Sequence, residues 1–192
     1  MTPQSSVDIQ AALGADIIYT PYQIEKLEEN GIDTTNYPVD LSLSEVSIEK
    51  GVGTDVPWRA VWQNPEGYSG SGLIIPYRFQ KQGAFSTTQE KDIEAWLDEL
   101  SGYLDGCVSF VNDTNDKKYS KDYIYIRNID DNGNRLKGVC NSYIGNITKF
   151  YKMNSQDLNL SVTQPDYRSH CIFKKTVQHE MMHALGQGLL EV

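Results

Sequence analysis

The sequence lacks long hydrophobic runs, and it contains few basic residues. Its apolar runs are only a few residues long, whereas a membrane-spanning helix needs about 20, so we expect no membrane span. Lys and Arg number 17 against 26 Asp and Glu, which gives a formal net charge of -9. Because no basic cluster offsets this charge, the chain would repel a phosphate backbone, and we expect no nucleic-acid partner.

Cysteine is also scarce, with three residues in the chain: Cys107, Cys140 and Cys171. An odd count allows one internal disulfide and one free thiol, or three reduced thiols. Several Asn-x-Ser/Thr sequences would suit an extracellular protein. The first residues, however, have neither the basic region nor the apolar core of a signal peptide. Two alternatives therefore stay open: a cytosolic protein, or a secreted protein whose start is missing from this chain.

The composition is that of a folded protein, with 39% hydrophobic and 22% charged residues in a chain of 192. Residues 1–59 are polar, with scattered glycine and proline. They predict loop or tail, apart from a short helix that starts near Pro21 and ends at Asn30-Gly31. The stretch 32–57 has turn formers but no sustained period.

From Trp58 onward the sequence predicts several short strands. β-Branched and aromatic residues indicate strands at 72–79, 108–111, 123–126 and 159–162. Pro76 in the first of these has no amide donor, which is typical of an edge strand or a bulge.

Two helices are predicted among these strands. The first begins with the capping-box pair Thr87 and Glu90. It then carries an apolar stripe at helical spacing, formed by Ile93, Trp96, Leu97, Leu100 and Leu104. The second helix is expected over residues 173–185. A strand, a helix, further strands and a second helix in this order indicate an α+β domain.

The most informative motif is His179-Glu180-Met181-Met182-His183. Positions i and i+4 of a helix lie on one face, so both imidazoles can reach one metal ion. Imidazole nitrogen is a good zinc ligand, and Glu180 lies where it can take a proton from a zinc-bound water. We therefore predict His179 and His183 as zinc ligands and Glu180 as the catalytic base. The alternative is a surface helix that happens to carry two histidines.

A third zinc ligand is not evident, although catalytic zinc usually has three protein ligands. In the longer pattern His-Glu-x-x-His-x-x-Gly-x-x-His, Gly186 occupies the glycine position, but Leu189 stands where the third histidine belongs. No methionine follows that could form a Met-turn. We expect a chain truncated just after the motif, with weak or no activity of its own.

Landmarks along the chain resemble the astacin family of zinc metalloendopeptidases. The run from Cys171 to Gly186 resembles the astacin active-site helix with its preceding cysteine. Trp62 and Gly72-Leu73-Ile74-Ile75-Pro76-Tyr77 resemble the start of the mature astacin domain, and Cys107-Val108-Ser109-Phe110 resembles the strand after its first helix. The resemblance covers about residues 58 to 186.

The resemblance implies a fold and a division of the chain. The expected fold is a zincin-like N-terminal subdomain, with a twisted mixed sheet and two long helices, preceded by an irregular pro-segment. Residues 1–59 would be the pro-segment, and residues 60–192 would be the N-terminal part of the catalytic domain. Arg59-Ala60 would be the site of maturation cleavage.

The resemblance also implies a location and a chemistry. It implies a disulfide between Cys140 and Cys171, a partner for Cys107 outside this chain, and a secreted protein made as a zymogen. Zn²⁺ would be the cofactor and proteins or peptides the substrates; nothing in the sequence indicates an oligomeric state. The alternative, which Leu189 favours, is a non-catalytic secreted fragment or pseudoprotease that binds a protein partner.

Overall fold

The structure is a computed structural model, and it describes residues 17–43, 62–65, 68–81, 84–162 and 171–187. The predicted cleavage site Arg59-Ala60, residues 1–16 and 44–58 of the predicted pro-segment, and Leu189 lie outside these residues, as does His170, the third histidine of the chain. No helix in the described part of the chain is long and apolar enough to cross a membrane.

The described residues form four helices, one 3-10 turn and six strands. The helices are α1 (Pro21–Glu29), α2 (Thr87–Tyr103), α3 (Thr148–Tyr151) and α4 (Lys174–Ala184), and the 3-10 turn is Leu41–Leu43. The strands are β1 (Ile17–Ile18), β2 (Leu73–Phe79), β3 (Val108–Asn112), β4 (Tyr123–Arg127), β5 (Cys140–Tyr143) and β6 (Ser155–Leu160).

The strands form one mixed sheet in the order β1-β5-β6-β4-β2-β3. β5 runs antiparallel to β6, and the other neighbouring pairs are parallel. This confirms the predicted fold class, a mixed sheet with two long helices. The sequence did not predict β5 or α3, and it placed β6 several residues too late.

Pro76 was predicted to lie in an edge strand or at a bulge, but β2 is an interior strand and its register with β3 is unbroken through Pro76. β2 is flanked by β3 and β4, but its ladder with β4 begins only at Tyr77. Before that point a side chain replaces the missing strand: the Ile74 N–H donates to Oδ1 of Asn64 at 2.7 Å. Proline is therefore tolerated because its missing donor falls where that side of β2 has no strand partner yet.

The capping box of α2 lies one residue earlier than predicted. Ser86, not Thr87, is the N-cap; its hydroxyl accepts from the Gln89 N–H at 3.2 Å, and the Gln89 side chain accepts from the Ser86 N–H at 2.8 Å. Ser-x-x-Gln and Thr-x-x-Glu both fit the pattern, and Ser86 has the extended backbone that an N-cap needs.

The main core lies between the sheet and the two long helices. α2 contributes Ile93, Leu97 and Leu100, and α4 contributes Val177 and Met181, all of them buried. They pack against alternate residues of the strands, including Ile75, Ile124, Ile126, Leu158 and Leu160. Each such side chain contributes about 1.5–3 kcal/mol when fully buried, so this layer fixes α4 against the sheet.

Residues 17–43 fold onto the sheet edge: the predicted short helix is confirmed as α1, which ends at the C-cap Asn30, whereas the residues before it form a strand that the sequence did not predict. β1 pairs in parallel with β5, and Ile17 is fully buried. The N-cap of α1 is Thr20, and its bond with Gln23 forms a capping box. Tyr19 and Leu27 complete a small apolar cluster with Ile144, which follows β5.

Candidate metal centre

The helix that carries the histidines ends in a turn that requires glycine. Gly186 has φ +100°, a region in which other residues are strained. Its N–H donates to the His183 carbonyl at 2.8 Å, and the Gln187 N–H donates to the Met182 carbonyl at 3.0 Å. This is the Schellman arrangement, and it folds the Gln187 backbone back over the last helical turn.

His179 and His183 point their Nε2 atoms at one location. The two Nε2 atoms are 2.9 Å apart, and the rings meet edge to face with centroids 4.4 Å apart. Two ligands of a tetrahedral zinc ion, each about 2.0–2.1 Å from it, lie roughly 3.3–3.4 Å apart. A small outward shift of the rings would therefore admit the ion, so the donor pair fits zinc.

A backbone carbonyl orients the His183 ring. Nδ1 of His183 lies 2.8 Å from the carbonyl oxygen of Gln187. Because a carbonyl oxygen only accepts, Nδ1 carries the proton and Nε2 presents its lone pair. Metal-binding histidines are commonly held in this way by a partner on the opposite ring nitrogen, so His183 has the tautomer that a ligand needs.

Glu180 lies on the inner side of α4. Its side chain is 1% exposed, and it is one helical turn from His183, so the two residues are neighbours on the helix surface. The Glu180 backbone carbonyl accepts a 2.8 Å hydrogen bond from Oγ of Ser142, a buried residue of β5. β5 thus holds the helix at the residue predicted to be the base.

Other donors hold the last turn of α4. The Trp62 indole N–H donates to the Ala184 carbonyl at 2.7 Å, and the Gly145 N–H donates to the His183 carbonyl at 2.9 Å. The last carbonyls of a helix have no partner within it. These donors supply partners, and they fix the end of the helix relative to the chain around Trp62 and Gly145.

A disulfide links the sheet to the segment that leads into α4. Cys140, the first residue of β5, is bonded to Cys171, with the two Cα atoms 5.6 Å apart. Cys171 is three residues before the helix, so the covalent link restrains the helix start. Cys107 is an exposed free thiol.

The described residues bring two predicted ligands together but offer no third. Within the described ranges, which end at residue 187, no group of three His, Cys, Asp or Glu side chains is placed to hold a metal ion. Sequence reasoning also missed the roles of Ser142, Gly145 and Gln187. Of these three residues, only Gln187 had a signal in the sequence, because the glycine before it, Gly186, indicated a turn at the end of the helix.

A comparison with the sequence patterns of known protein families shows which family the chain belongs to. The family model described as Astacin (peptidase family M12A) matches residues 68–188. This range is well over half of the chain, and it includes His179, Glu180 and His183. The chain belongs to the astacin family. The recognition drawn from the sequence landmarks is thereby confirmed, and the family is one of peptidases.

A solved structure resembles this astacin-family chain. It is high choriolytic enzyme 1, a hatching enzyme zinc-protease from Oryzias latipes (medaka fish), with 23% sequence identity and a TM-score of 0.44. The likeness covers 67% of this chain and 49% of that chain, so the astacin-family chain spans about half the length of the enzyme. No curated protein matches the chain.

Proposed function

We propose that the chain is a zinc-dependent metalloendopeptidase, in which His179 and His183 hold the metal. The observation that carries the proposal is the convergence of their Nε2 atoms, 2.9 Å apart on one helix of an astacin-family domain. The bond between His183 Nδ1 and the Gln187 carbonyl supports it, because it puts the proton on Nδ1 and turns the Nε2 lone pair towards His179.

Glu180 would act as the general base. Zinc bound at the histidines would lower the pKa of its water towards neutrality. The Glu180 carboxylate would take the proton of that water and pass it to the leaving amine of a protein or peptide substrate. Burial of the side chain favours this role, since charges interact more strongly away from bulk water.

The proposed function is tested by cleavage of a fluorogenic peptide library at a fixed free zinc concentration. We expect slow, chelator-sensitive cleavage by the wild-type chain and a loss of at least about a hundredfold in Glu180→Gln. Glu90→Gln, on α2, is the matched control and should cleave at the wild-type rate. Cleavage that survives chelation, or that is equal in Glu180→Gln, would contradict the proposal.

We also propose that residues 1–59 are a pro-segment that makes the chain a zymogen. An extended peptide can bind by adding a strand to an open sheet edge. In the described part of this segment, β1 already occupies the outer edge of β5, the strand that holds α4. A substrate strand could not pair there until the segment left.

A secreted location fits the same account. The Cys140–Cys171 disulfide supports it, because disulfides persist in oxidising compartments and are rare in the cytosol. Mass spectrometry of the endogenous protein after thiol alkylation would test this. We expect Cys140 and Cys171 to escape labelling, and their full labelling in native protein would count against secretion.

A non-catalytic binding protein is the second candidate, and Leu189 favours it. Two histidines hold zinc more weakly than three, and position 189 carries leucine where the family pattern has histidine. Under this candidate, Leu189→His gains zinc affinity but little proteolysis. Strong cleavage by the unmodified chain would exclude it.

A further inference from the structure

A buried glutamine on β6 forms two hydrogen bonds with the loop that contacts α4, the helix of the candidate zinc ligands. Gln156 is 1% exposed. Its Nε2 donates to the Gly145 carbonyl at 2.8 Å, and its Oε1 accepts from the Ile147 N–H at 2.9 Å. The side-chain amide thus pairs with the backbone as a neighbouring strand would. A buried side-chain amide whose donor and acceptor are both hydrogen-bonded is rigid. Breaking either hydrogen bond would leave a buried polar group without a partner, which is costly.

The same loop reaches the second histidine. Gly145 follows β5, and its N–H donates to the His183 carbonyl at 2.9 Å. Gly145 has φ +69°, in the left-handed region that favours glycine. It also lies beside the turn that ends α4, since a Cβ built on Gly186 would lie 3.9 Å from the Gly145 Cα. One residue, Gly145, therefore contacts Gln156 through its carbonyl and His183 through its N–H.

We propose that Gln156 is a positioning residue for His183, acting through Gly145. This inference rests on the proposed function, because it treats His183 as a zinc ligand. The His183 carbonyl is shared by Gly145 and Gly186, and the ring is held by the next residue, Gln187. Loosening Gly145 frees the turn that orients Nδ1, and so it disturbs the direction in which Nε2 points.

A second glutamine, Gln80, offers a control variant that distinguishes a positioning role of Gln156 from a general effect on stability. Gln80 makes the same kind of backbone clamp: its Oε1 accepts from the Asn128 and Ile129 N–H groups, and its Nε2 donates to the Ile129 carbonyl. These contacts join β2 to the end of β4 and do not involve α4. Gln80→Met should therefore cost stability without altering the histidine pair.

The experiment uses the full chain and measures zinc affinity by competition with a chelating dye. Cobalt absorption spectra and amide hydrogen exchange at Gly145 are recorded on the same samples. In Gln156→Met we expect zinc affinity to fall about tenfold to a hundredfold, as for other outer-shell partners of metal ligands. We also expect an altered cobalt spectrum and faster exchange at Gly145. Gln156→Asn, one methylene shorter, should show the same effects if Gln156→Met does not fold.

The outcomes separate the inference from the proposed function. Unchanged zinc affinity in a folded Gln156 variant, or an equal loss in Gln80→Met, would overturn the positioning role. Failure of both Gln156 variants to fold would overturn it too, since Gln156 would then serve the fold alone. A wild-type chain that binds no zinc would contradict the proposed function instead. The His183 Nδ1 proton resonance would then decide the inference, with an unshifted signal in the Gln156 variant overturning it.

Discussion

At the scale of single residues, the candidate zinc ligand His183 is held by backbone groups. Its ring bonds to the Gln187 carbonyl, and its own carbonyl accepts from Gly145 and Gly186. Backbone partners cannot be removed by side-chain substitution, so the residues that place those backbones become the useful targets. Trp62 is one such target, because its buried indole N–H donates to the neighbouring carbonyl of Ala184.

Trp62→Phe should destabilise the chain by about 1–3 kcal/mol, because it removes the indole donor of a buried carbonyl. Urea denaturation followed by circular dichroism measures this change. Trp96→Phe is the control, since Trp96 packs against the same core but its indole makes no hydrogen bond to any described residue. A loss in Trp96→Phe as large as that in Trp62→Phe would show that ring volume, not the hydrogen bond, matters at Trp62.

The docking of residues 17–43 should weaken in acid because of Asp40. Burial alone would raise the pKa of Asp40, but hydrogen bonds from Ser42 and from the Tyr143 hydroxyl outweigh burial and hold that pKa below its ordinary value. A carboxyl with a depressed pKa adds stability above its unfolded pKa of about 3.9, and that stability is lost as pH falls through the folded pKa.

Limited proteolysis between pH 3 and pH 6 would test this dependence. We expect cleavage within residues 17–43 to rise as the pH falls below about 4. Asp40→Asn, which cannot ionise, should show a smaller dependence on pH over the same range. An identical pH profile in the wild type and in Asp40→Asn would contradict the role given to Asp40.

At the scale of elements, β1 is the part of the proposed pro-segment that meets the sheet. Ile17 is fully buried against β5, so Ile17→Asp would place a charge in an apolar cluster and detach the strand. If the segment blocks the sheet edge, Ile17→Asp should cleave peptides several-fold faster than the wild type. Leu41→Asp is the matched control, because Leu41 belongs to the same segment but is 73% exposed. Equal rates in the three proteins would argue against a blocking segment.

The elements differ in how far the sequence predicted them. α2 and α4 were predicted because their apolar residues recur at helical spacing and pack on one face. β5 was missed because its residues serve polar contacts: Ser142 bonds to the α4 backbone and Tyr143 to Asp40. β6 was misplaced because Gln156 interrupts its apolar alternation, and that residue is buried for its hydrogen bonds.

The candidate site was predictable in part for the same reason. The spacing of His179 and His183 predicted that one helix would bring the two rings together, and the structure shows this. The roles of His179, Glu180 and His183 in zinc chemistry stay a prediction. The contacts of Ser142 and Gly145 with α4 depend on how β5 and the loop after it pack against the helix. Residues that are distant in the sequence form these contacts, so a local sequence pattern does not predict them.

At the scale of the whole molecule, the domain is an astacin-family fold in which α4, the helix of the candidate zinc ligands, is held at several points. β5 bonds to its middle through Ser142, the Cys140–Cys171 disulfide restrains its start, and Trp62 and Gly145 hold its end. The proposed pro-segment is attached to that same strand, β5. Metal binding, segment docking and stability should therefore be coupled, because they share β5 and the loop after it.

The central claim is that His179 and His183 hold one zinc ion. The most direct test is the zinc content of the purified chain, measured by mass spectrometry after dialysis against a fixed micromolar concentration of free zinc. We expect close to one zinc ion per chain in the wild type and in His170→Ala, which changes the remaining histidine, and almost none in His179→Ala. Zinc retained by His179→Ala, or absent from the wild type, would contradict the account.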